Sequence, residues 1–187
     1  GVTVPGALDG DSAFMFDPNR DGVYTAGVSA IPVGRQLTTT AITPANLALV
    51  TGDNYSITFS AVGPGATTYT ITNTTTGAVS APVVVPDYPT DKPVTISVPG
   101  IPGLTFDIKG NPANGDTVTL QPSASMFSTL DSAINGIRNA PNNNAAIQAV
   151  GQALANIDTG LERVHNMRSY AGELLNRADR ITGDQEK

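Results

Sequence analysis

The chain has 187 residues and a net charge of -6, with only 14% of residues charged and neither cysteine nor tryptophan. An acidic surface without a Lys/Arg cluster repels phosphate backbones and anionic lipid, so nucleic acid and membrane surfaces are not expected partners. The missing cysteines exclude disulfides, thiolate metal sites and Cys nucleophiles together, and no run of about 18 apolar residues or cleavable signal pattern is present. The absent initiator Met and the stop at Lys187 read as processing or fragment boundaries.

Residues 1–30 hold short apolar pieces, Ala13-Phe14-Met15-Phe16 and Val23-Tyr24, separated by Asp-Pro-Asn and Asp-Gly turn signals that predict a β-hairpin. Between them, Asp17-Pro18-Asn19-Arg20-Asp21-Gly22 matches the first half of a calcium loop, with oxygen ligands at its first, third and fifth positions and Gly at the sixth. The last ligand position, where a bidentate Glu should stand, is Val28. A tight turn is preferred, and as a plain turn it should tolerate Asp21→Asn without a change in melting.

Residues 31–122 read as an all-β domain: Thr-rich, punctuated by Pro and Gly, and alternating with a period of two. Tyr55, Ile57 and Phe59 point one way and Ser56, Thr58 and Ser60 the other. Tyr69 with Ile71, Val83 with Val85, Val94 with Ile96 and Val98, Leu104 with Phe106 and Ile108, and Val118 with Leu120 repeat the pattern. Such spacing predicts an antiparallel sandwich or barrel-like domain.

Residues 123–187 predict a helical hairpin, making the chain α+β. Ser123 or Ser125 caps a first helix with Phe127, Leu130, Ile134 and Ile137 on one face; Gly136 weakens it and Pro141 ends it. A second, longer helix starts near Asn143 or Asn144. Its apolar residues Ile147, Val150, Leu154, Ile157, Leu161 and Val164, then Ala171 and Leu175, form one stripe in the heptad rhythm of a coiled coil. The shorter first helix cannot cover that stripe, so these residues are the candidate packing interface and the hairpin is expected to be part of a larger helical bundle. The heptad places Arg168 on the seam; a second phase through Met167, Ala171, Leu174, Ala178 and Ile181 moves it off, and the pattern leaves both open.

No catalytic, cofactor-binding or metal-binding residues can be nominated. His165 is the only histidine and has no partner at a known spacing; Asp53, Asp87, Asp91, Asp107 and Asp116 mostly sit beside turns. Tyr55, Phe59, Tyr69, Tyr88 and Phe106 mostly fit inward positions, leaving thin support for a secreted adhesin-like or carbohydrate-binding module with a helical stalk.

Two segments resemble a known family. Gly100-Ile101-Pro102-Gly103-Leu104-Thr105-Phe106-Asp107-Ile108-Lys109, the turn Gly110-Asn111-Pro112-Ala113-Asn114-Gly115-Asp116, and the helix entry at Pro122 to Leu130 are similar to flagellar hook-associated proteins. Asn156-Ile157-Asp158, followed by Val164, Arg168 and Gly172 in a Val-x-x-x-Arg-x-x-x-Gly element, resembles the penultimate helix of the flagellin-like members. The likeness is specific from about Gly100 to Arg177 and weak before it. It implies a structural, non-enzymatic flagellar protein, exported unfolded through the flagellar channel and assembled outside the cell between hook and filament. Neighbouring copies in a ring, the other junction protein and flagellin are its implied partners. The family's terminal helices are not recognisable in the chain.

Overall fold

A computed structural model describes residues 9–30, 36–63, 65–86 and 94–185. Asp9 caps a single helical turn, α1 (Gly10–Phe14), by accepting the Asp11 N–H at 3.0 Å. Strands β1 (Tyr24–Ser29), β2 (Leu37–Thr39) and β3 (Thr43–Pro44) follow, then a 3-10 turn at Leu47–Leu49. The hairpin β4 (Tyr55–Gly63) and β5 (Ala66–Asn73) leads to β6 (Val83–Pro86), β7 (Val94–Ser97), β8 (Leu104–Thr105), β9 (Asp107–Gly110) and β10 (Thr117–Pro122). Helices α2 (Met126–Arg138) and α3 (Asn143–Gln185) complete the chain.

The fold is α+β, with antiparallel strand pairing throughout. One sheet runs β1-β10-β4-β5-β6, a second β2-β9-β7, and β3 pairs with β8. Their inner faces share a single core. Tyr24, Tyr55, Ile57, Phe59, Tyr69, Val118 and Leu120 come from the large sheet and Leu37, Ile96 and Ile108 from the small one. The expected alternation holds: Tyr55, Ile57 and Phe59 are buried while Ser56 and Thr58 are only half-buried and Ser60 is exposed. Phe59 faces Tyr69 across the strand pair with ring centroids 5.9 Å apart, after which a bulge shifts the register before Ala61.

The hairpin expected over residues 1–30 does not form among the described residues. Ala13 and Phe14 lie in α1, and β1 pairs with β10 from Tyr24↔Pro122 to Ser29↔Thr117, 88 to 98 positions away in sequence. Asp9 at an N-cap favours a helical turn over extension, while Tyr24, Ala26 and Val28 complete the face that β10 leaves open. Among the described residues of this segment, Tyr24–Ser29 supplies an edge strand to the β domain rather than half of a separate hairpin.

Three residues of the Gly110 to Asp116 turn have identifiable structural roles. Gly110 has φ +114°, and a Cβ there would overlap the Gln36 carbonyl oxygen. The buried Asp116 carboxylate accepts the Ala113 N–H at 2.7 Å, and Gly115 N–H and the Asp116 carbonyl bracket Phe59, donating to and accepting from its backbone.

Candidate interaction surface

Helix α2 begins with a reciprocal capping box: Ser125 Oγ accepts the Ser128 N–H and Ser128 Oγ accepts the Ser125 N–H, each at 3.0 Å. Ser125 is thus the cap of the two serines offered by the sequence. The helix ends at Arg138, before Pro141, and α3 starts at Asn143. Gly136 has a use beyond the weakening expected of it. A Cβ there would lie 2.9 Å from Ala149 Cβ, so it lets α2 and α3 approach closely.

The two helices turn their polar and small residues inward and their apolar residues outward. On α3, Gln152 and Asn156 are 7% and 3% exposed, whereas Ile147 and Leu154 are 61% and 59% exposed, with Val150 and Leu161 also exposed. Ile157, Val164 and Ala171 are half-buried; Leu175 is exposed. On α2, Thr129 is buried and Ala133 and Gly136 half-buried, while Phe127, Leu130, Ile134 and Ile137 are exposed. The α2 residues expected to cover part of the stripe therefore face solvent. Phe127 packs on Phe14 of α1, centroids 5.6 Å apart, which extends the apolar area at one end. Past Val164 the shielded line follows the second phase: Met167, Ala171, Leu174, Ala178 and Ile181 are half-buried, and Arg168 is exposed. Monomeric proteins seldom expose so many large apolar side chains on neighbouring elements, and such patches mark interaction sites.

What α3 presents inward is a ladder of hydrogen-bonding groups that the sequence reading did not single out. Gln148 Oε1 accepts the Thr39 N–H at 2.9 Å and Gln152 Oε1 the Ile42 N–H at 2.7 Å. Gln152 Nε2 donates to Asn156 Oδ1 at 3.0 Å, and Asn156 Nδ2 donates to the Tyr24 carbonyl at 2.9 Å. Strands β1 and β2 are edges of their sheets, so Asn156 and Gln148 stand where a further strand would pair, and they blunt both edges. The spacing of four residues from Gln148 to Gln152 to Asn156 was the available signal.

Farther along α3, Arg163 pairs with Asp21, donates to the Ser12 carbonyl at 2.8 Å and lies over the Phe16 ring at 5.8 Å. The Asp17 to Gly22 segment is a turn committed to its own chain. Asp17 Oδ1 accepts the Asn19 N–H, the Asp17 carbonyl accepts from Arg20 and Asp21, and Asp21 Oδ2 accepts the Asp17 N–H at 2.7 Å. The pairing leads us to expect that Asp21→Asn lowers the melting temperature, because it leaves Arg163, largely shielded from water, without its counter-charge.

His165 is exposed, and no three His, Cys, Asp or Glu converge among the described residues. Tyr55, Phe59, Tyr69 and Phe106 are core residues and offer no flat platform to a sugar; Tyr88, Asp87 and Asp91 lie outside the described residues.

No family model matches the chain, and no curated protein matches it. Solved structures do. The flagellar junction protein FlgL from Legionella pneumophila aligns at TM-score 0.60 and 24% identity over 94% of this chain, and FlgL from Xanthomonas campestris at 0.63 and 20% over 96%. A flagellar hook-associated protein 3 from Legionella pneumophila aligns at 0.62 and 25% over 94%. In each case the chain spans 56% of the other protein's length. Along nearly all of its length the chain has the fold of FlgL.

Proposed function

We propose that the chain is a structural subunit of the bacterial flagellum that joins hook to filament and packs against its neighbours through the outward faces of α2 and α3. The observation that carries this reading is the inverted amphipathicity of the hairpin, joined to the FlgL fold. Covering a half-exposed Leu, Ile or Phe contributes roughly 1 kcal/mol, so Phe127, Leu130, Ile134, Ile137, Ile147, Val150, Leu154 and Leu161 together offer enough to hold helical neighbours. Repeated head-to-tail contacts of this kind build rings and tubes. The β domain then faces outward, the hairpin belongs to an inner helical layer, and assembly occurs outside the cell after export through the flagellar channel. Copies of itself, the other junction protein and flagellin are the partners, and no step of chemistry is involved.

The test is complementation of a junction-defective strain with the full-length protein. The parent should restore swimming, and Leu154→Asp with Ile134→Asp should abolish it while leaving secretion and the β-domain fold intact. Normal swimming by that double variant would refute packing through this face.

A further inference from the structure

The boundary between α3 and the β domain differs from both the β core and the outer helical face. Every buried apolar residue of the core cluster comes from the β region, with no residue of α2 or α3 among those described. Contact from α3 is made instead by Gln148, Gln152, Asn156 and Arg163. Behind this row, between β1, α2 and α3, lies a groove of about 370 Å³ bordered by Ala26, Ala133, Gly136 and Ala149. Parting such a boundary exposes amides and a guanidinium that water can satisfy, together with the buried Phe16 ring under Arg163. Unfolding the β core exposes its whole apolar cluster.

We propose that this polar seam is a release joint, from Gln148 to Arg163, which opens as one unit while the β core stays folded, freeing the β domain to change its angle to the hairpin. Its two ends are tied to different segments: Gln148 and Gln152 to Thr39 and Ile42, and Arg163 to the turn holding Asp21 and to Ser12. Because α3 is a continuous helix across this span, lifting one end levers the other. Ser123 and Ala124, which connect β10 to α2, form the pivot; they remain bound to Val23 and Phe16 through Ser123 N–H to the Val23 carbonyl and Phe16 N–H to the Ala124 carbonyl. The inference concerns this fold itself and stands or falls apart from any flagellar role.

Hydrogen exchange of the whole chain tests it, read at three amides. Thr39 and Ile42 donate across the seam, whereas Phe59 donates within the β domain, to the Asp116 carbonyl at 3.0 Å. Ile42 is buried, so its amide exchanges only through an opening. Thr39 and Ile42 should exchange at similar protection, at least about a hundredfold faster than Phe59. Arg163→Gln, and separately Asp21→Asn, should accelerate both seam amides severalfold from the far end and leave Phe59 unchanged. Seam amides as slow as Phe59 would overturn the proposal, as would seam amides indifferent to both distant variants, which would mean piecemeal opening. Variants that unprotect Phe59 as well would show seam and core unfolding together, and the release joint would fall on that result too.

Discussion

Tyr24 shows how a single side chain ties local burial to a measurable property. Its ring is in the core, its hydroxyl donates to the Asp53 carbonyl at 3.1 Å, and burial, with Tyr55 and Asp53 nearby, pushes its pKa up to about 12. In the unfolded chain the phenol ionises near pH 10. Between these values the unfolded state sheds a proton that the folded state keeps, so stability present below pH 10 is lost as pH rises toward 12. Tyr24→Phe should cost about 1 kcal/mol at pH 9 through the lost hydrogen bond. The difference should move by about 1.4 kcal/mol in the variant's favour at pH 11, erasing the deficit or slightly reversing it, because the variant has no phenol to titrate at this position. Urea unfolding at the two pH values measures it, and a deficit independent of pH would deny the shift. The strand faces allow a simpler comparison: Phe59→Ala should cost about 3 to 5 kcal/mol by leaving a cavity, and Thr58→Ala under about 1.

At the level of elements, the strands from Tyr55 onward were readable because a period of two names the buried face directly, whether the partner strand is near or far. What periodicity does not name is the partner, and β1 was misjudged for that reason: Tyr24-Thr25-Ala26 looks the same whether it pairs with residues ten or a hundred positions away. Helix α3 was readable as a helix with an apolar stripe, yet its inward face was not, since the usual assumption places the stripe inside. The N–H groups of Thr39, on the edge of β2, and of Ile42, in the link between β2 and β3, demand hydrogen-bond acceptors, so Gln148 and Gln152 occupy the inner side and the stripe is turned out. This inversion predicts an unusual response to substitution in the isolated chain. Leu154→Ser should change the unfolding free energy by less than about 0.5 kcal/mol, and Gln152→Ala should cost about 1 to 3 by orphaning the buried Ile42 amide. Thermal or urea unfolding compares them; the reverse order would mean that the stripe is covered from within.

At the scale of the whole molecule, the pairing of β1 with β10 brings the two crossings between β domain and helical part side by side. Val23 precedes the domain and Ser123 follows it, and the Ser123 N–H donates to the Val23 carbonyl at 2.8 Å. A β domain whose entry and exit touch behaves as an insert carried on a continuous scaffold. Excision from Tyr24 to Pro122, closed by a short Gly-containing linker, would stretch nothing in the hairpin, and the amides of Gln148, Gln152 and Asn156 would pass to water without creating an apolar wound. The same geometry makes this position a port: a foreign domain with adjacent termini could be seated there and displayed, while the faces that Ile134 and Leu154 present remain free to meet their neighbours.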